Sequence, residues 1–101
     1  MSDITDVILI TGICESMDST EAIDKFNEYI ETVCSSGMVN VVDYGGGDQE
    51  MQCDIYMAGI NHVNVDDLVG HFNSIEWCYP DNVQLLIKGD HSETFALYVP
   101  K

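Results

Sequence analysis

Arginine is absent from this chain. Its permanent cations are three lysines, Lys25, Lys88 and Lys101, against 18 aspartates and glutamates. The net charge of -15 at neutral pH argues against functions that need cationic counter-charge, such as gripping DNA or RNA or lying on an anionic membrane. It leaves room for a basic protein partner, a cationic ligand or metal ions, and it also serves plain solubility. No apolar run approaches the ~20 residues of a membrane-spanning helix. Met1-Ser2-Asp3 is neither cationic nor followed by a long apolar segment, which predicts a cytoplasmic chain without a secretory leader. No Pro-, Gly- or Ser-rich linker interrupts the 101 residues, so they read as a single domain able to fold around one core. The four cysteines, Cys14, Cys34, Cys53 and Cys78, show no paired spacing. Free, reduced thiols are expected, with Cys34 and Cys53 buried on apolar stripes.

The most apolar run, Asp6 to Ile13, is rich in β-branched residues and apolar on both faces. That pattern predicts a strand in the middle of a sheet. A loop, Cys14 to Met17, should follow. Ala22, Ile23, Phe26, Tyr29, Ile30, Val33 and Cys34 then form one helical stripe, with Asp24, Lys25, Glu28 and Glu31 on the other side. Asp18 or Ser19 can cap this helix, and Gly37 offers a left-handed stop. Met38–Tyr44 and Glu50–Ala58 read as a hairpin around Gly45-Gly46-Gly47-Asp48. In its second strand, Met51, Cys53, Ile55 and Met57 alternate with Gln52, Asp54, Tyr56 and Ala58. Asn64 caps a second helix with the stripe Val65, Leu68, Val69, Phe72 and Ile75. A loop from Trp77 to Asn82 leads into strands at Val83–Lys88 and Thr94–Val99.

The order β-α-β-β-α-β predicts an α+β, ferredoxin-like fold, extended by a C-terminal fifth strand, with two helices on one face of an antiparallel sheet. The open face should then carry Tyr56, Tyr98, Gln52, Gln84 and Lys88.

Motifs for chemistry are missing. The triple glycine has no following lysine or helix, so a flexible hairpin explains it better than a phosphate loop. His62, His71 and His91 pair with no cysteine or histidine at metal-ligand spacing. Asp66-Asp67 fits helix capping rather than a calcium loop. No catalytic residue, metal or cofactor is assigned, and an enzyme is not expected. Tyrosines on a sheet of this topology could stack bases, but the charge opposes it.

What remains is the placement of charge. The predicted topology gathers three loops at one end. They bring Glu15, Asp18, Asp48, Glu50, Glu76 and Asp81 together, near Tyr44, Trp77 and Tyr79. Carboxylates around aromatic anchors suit a protein interface; the competing reading is that Trp77 and Tyr79 plug the end of the core. In size, charge and lack of catalytic motifs the chain resembles immunity proteins that neutralise nuclease toxins. It resembles equally the phage inhibitors of nucleic-acid-handling enzymes, including DNA-mimicking anti-CRISPR and anti-restriction proteins. The resemblance implies a stoichiometric inhibitor of a basic protein, with no nucleic acid or membrane bound. The alternative is a small-ligand or regulatory module that dimerises through its open sheet face.

Overall fold

The computed structural model describes residues 4–34, 37–40, 53–61, 63–89 and 92–100. In chain order the elements are β1 (Ile4–Gly12), α1 (Ile13–Asp18), α2 (Glu21–Cys34), β2 (Val39–Asn40), β3 (Cys53–Asn61), α3 (Val65–Ser74), a 3-10 turn (Pro80–Asn82), β4 (Gln84–Lys88) and β5 (Ala96–Tyr98). The fold is α+β, with an open antiparallel sheet. β1 lies between β3 and β4; β2 pairs with β3, and the short β5 pairs with β4.

Both long helices cover the same face of the sheet. Phe26 and Ile30 of α2, and Leu68 and Phe72 of α3, share one core with Val7 and Leu9 of β1 and Leu85 and Ile87 of β4. The α2 stripe buries Ala22, Ile23, Phe26 and Ile30, as its periodicity predicts, but Val33 at its end is exposed. The cap on α3 is the expected one: Asn64 Oδ1 accepts a hydrogen bond from the Asp67 backbone N–H at 3.2 Å, satisfying a donor that the helix leaves free. Ser19 Oγ accepts from the Glu21 N–H at 3.2 Å at the start of α2.

Three expectations need correction. First, residues 13–18 form a one-and-a-half-turn helix instead of a loop. Its N-cap, Gly12, supplies no side-chain hydrogen bond, so no capping signal marks it in the sequence. Second, Gly37 does not adopt a left-handed conformation. What requires glycine there is room, since a Cβ would sit 2.7 Å from Asn27 Oδ1, the atom that accepts the Met38 N–H at 2.8 Å.

Third, the faces of β3 are reversed. Val7 pairs with Ala58 and Leu9 with Tyr56, and residues directly opposite share a face. Tyr56 and Ala58 therefore pack against the core, while Cys53, Ile55 and Met57 face away from the helices. Tyr98, opposite Leu85, also packs on the core side. Of the residues expected on the open face, Gln84 and Lys88 are there, opposite Ile10 and Asp6 of β1; Gln52 lies outside the described residues. The reversal follows from Ile60, which is fully buried. β3 runs on to Asn61, past the expected end at Ala58, and with a side-chain period of two that one buried isoleucine fixes the parity of the whole strand. Cys53 is accordingly half-buried on the outer face rather than sealed in the core, and Cys14 and Cys78 are exposed free thiols. The side chain of Cys34 and the glycine hairpin lie outside the described residues.

Candidate functional site

The end of the sheet at which β1 stops is built by contacts between α1 and the segment linking α3 to β4. A Cβ on Gly12 would meet Asn82 Cβ at 3.2 Å, so the two segments approach with little space to spare. Glu15 ties them together. It is fully buried. Its Oε2 accepts the Cys78 N–H and its Oε1 the Tyr79 N–H, both at 2.9 Å. A buried carboxylate is tolerable only when its lone pairs are met in this way. Glu15 thus fixes a loop from within, and its charge is not offered to a partner on the rim.

Trp77 is also internal. Its ring centroid lies 5.6 Å from that of Phe72 and 6.5 Å from that of Phe26. Its Nε1–H donates to the Phe72 carbonyl at 3.2 Å, so the indole is packed and its polar atom is satisfied. It plugs the end of the core. Tyr79 is half-buried, and its hydroxyl donates to the Asp18 carboxylate. That bond, reinforced by the negative charge of Asp18, pushes the Tyr79 phenol up to about 12. A phenol whose folded pKa lies above its unfolded value adds stability that is full below about pH 10 and is lost as pH rises toward 12. A spectrophotometric titration should find one late-ionising tyrosine, and Asp18→Asn should bring it back toward the ordinary phenol range. An unchanged titration would contradict the contact.

Of the nine residues predicted at this end, Asp18, Glu76 and Asp81 are exposed acids. Glu15 and Trp77 are interior, and Tyr79 is engaged with Asp18. Tyr44, Asp48 and Glu50 lie outside the described residues. The larger concentration of charge is on the helices. Glu21, Asp24, Glu28 and Glu31 of α2, and Asp66 and Asp67 of α3, are all exposed. With Asp18, Glu76 and Asp81 they make nine exposed carboxylates on the helices and the adjoining loops; among the described residues of these segments Lys25 is the one lysine, and its Nζ lies 3.3 Å from Glu21 Oε1. The polar side of the first stripe was the signal for this surface. His71 joins the two helices, stacked on Tyr29 with centroids 4.6 Å apart and its Nε2 3.3 Å from the Lys25 carbonyl.

Among the described residues no group of three or more His, Cys, Asp or Glu is placed to hold a metal ion. No described helix is long and apolar enough to cross a membrane. No family model, curated protein or solved structure matches the chain.

Proposed function

We propose that this protein acts by binding rather than catalysis, as a stoichiometric inhibitor of a basic, nucleic-acid-handling protein of the toxin-immunity or phage anti-defence type. The observation that carries this reading is the set of nine exposed carboxylates on α2, α3 and the segments at the adjoining end of the sheet, with Lys25 the one lysine among the described residues there. Such a surface offers a basic groove the same sign of charge that a nucleic acid does, and it accelerates encounter over long range. The sequence-based site shifts accordingly. Asp18, Glu76 and Asp81 form its lower edge, and the helices form its body.

We read the fold that carries this surface as ferredoxin-like, with β5 as an added edge strand. The order β2-β3-β1-β4-β5 and the two long helices on one face support this reading.

The test is capture by the immobilised full chain from a lysate of its source cells, followed by elution with duplex DNA. The expected eluate is a basic protein that DNA displaces, because both ligands compete for one cationic surface. Capture that duplex DNA leaves intact would contradict the proposal.

A further inference from the structure

The face of the sheet turned away from the helices carries an apolar row that crosses every strand. Val39 pairs with Met57, Met57 with Ile8, Ile8 with Leu86, and Leu86 with Leu97, so five apolar side chains stand in register from one edge to the other. Val39 is 68% exposed, Leu97 57% and Met57 44%. Along one half of the row lies a shallow trough of about 620 Å³, lined by Val39, Met57 and Ile8 of the row together with Asp6, Gly59 and Phe95. Isolated exposed apolar residues are ordinary, but a contiguous row on a flat sheet marks a surface that is covered in the working protein.

We propose that a second copy of this chain covers this face, the two sheets packing face to face with the helices outermost. The charge distribution selects this occupant. Among the described strand residues, the outer face holds one acid, Asp6, directly opposite one base, Lys88, so this part of the face is formally neutral. A basic partner gains nothing there, whereas a second copy of the same neutral, apolar surface is complementary to it under two-fold symmetry. The carboxylates of α2 and α3 end up on opposite outer surfaces. Two sheets about 10 Å apart, each with a helical layer behind it, keep the two sets of charge farther apart than the Debye length of about 8 Å at physiological ionic strength.

The area is sufficient. With a rise of about 3.3 Å per residue and strands about 4.8 Å apart, the described strands give a planar footprint of roughly 450 Å² per copy. Side chains standing above that plane raise the accessible area buried by two copies to around the 1,000 Å², roughly, that a specific interface needs. The dimer is therefore modest and reversible.

The experiment is sedimentation equilibrium of the full chain from about 1 to about 100 µM, a range that brackets a modest interface. The wild type should pass from one-chain toward two-chain mass with rising concentration. Met57→Lys and Leu97→Lys, both at exposed positions, should each hold the mass at one chain with an unchanged far-UV circular dichroism spectrum. Glu28→Lys with Glu31→Lys, on the helical side, should leave self-association in place, which separates this inference from the capture reading. A wild type of one-chain mass throughout overturns the proposal. So does two-chain mass in folded Met57→Lys and Leu97→Lys.

Discussion

Replacing Trp77 with alanine is expected to lower the unfolding free energy by about 3–5 kcal/mol, the usual loss when a large core aromatic is truncated. A domain of this size has about 5–15 kcal/mol in all, so the variant should unfold at a much lower urea concentration. The cause is local and specific. Trp77 is 7% exposed, it packs against Phe26 and Phe72, and its deletion leaves a cavity at the end of the core and removes one of the two hydrogen bonds that the Phe72 carbonyl accepts, the other coming from the Ile75 N–H. As the chain has one tryptophan, Trp77→Phe is the conservative control, and it should recover most of the loss. If Trp77 were an interface anchor on the surface, Trp77→Ala would instead leave the urea midpoint almost unchanged and affect only partner binding.

The second large effect belongs to Glu15. Glu15→Ala removes two charge-assisted hydrogen bonds, each worth roughly 1.5–3 kcal/mol when the acceptor is ionised. The Cys78 and Tyr79 N–H groups lose their partner, and the contact between α1 and the 3-10 turn loosens. A loss of about 3–5 kcal/mol is expected in urea unfolding. Glu15→Gln preserves the shape but turns an amide N–H toward one of the two donors, so it should lose about half as much. A change below about 1 kcal/mol in Glu15→Ala would show that the carboxylate is exposed and merely one more surface charge.

These two residues mark where the sequence stops being legible. Both were legible as functional candidates by type, a carboxylate and an aromatic in loops that meet at one end of the sheet. What decides their role is depth: α1 carries Glu15 inward against the Cys78 and Tyr79 N–H groups, and Trp77 folds back onto Phe26 and Phe72. A six-residue helix with no capping side chain leaves no periodic signal. The long helices were legible because their stripes repeat over several turns, and because Asn64 is the kind of residue that caps a helix. The central place of β1 was legible from its two apolar faces. Those same two faces hid the parity of β3. Ile8 and Ile10 on one side and Val7 and Leu9 on the other offered β3 an apolar neighbour whichever way it turned. The alternation of Met51, Cys53, Ile55 and Met57 was real, but it marked the uncovered side. Ile60, two residues beyond the expected end of the strand at Ala58, is the residue that fixes the answer. The acid-rich outer sides of both helices could be read directly. Their dominance over the loop acids followed only when Glu15 proved to be buried.

The most direct test of the proposed function is the association rate between this chain and the basic partner proposed for it, measured by stopped flow across a range of ionic strength. Glu28→Lys combined with Glu31→Lys and Glu76→Lys should slow association at low salt by about tenfold or more and flatten the salt dependence. The dissociation rate and the urea midpoint should change little, because all three positions are exposed. An association rate indifferent to both salt and these reversals would contradict the claim that the helical carboxylates are the surface that finds the partner.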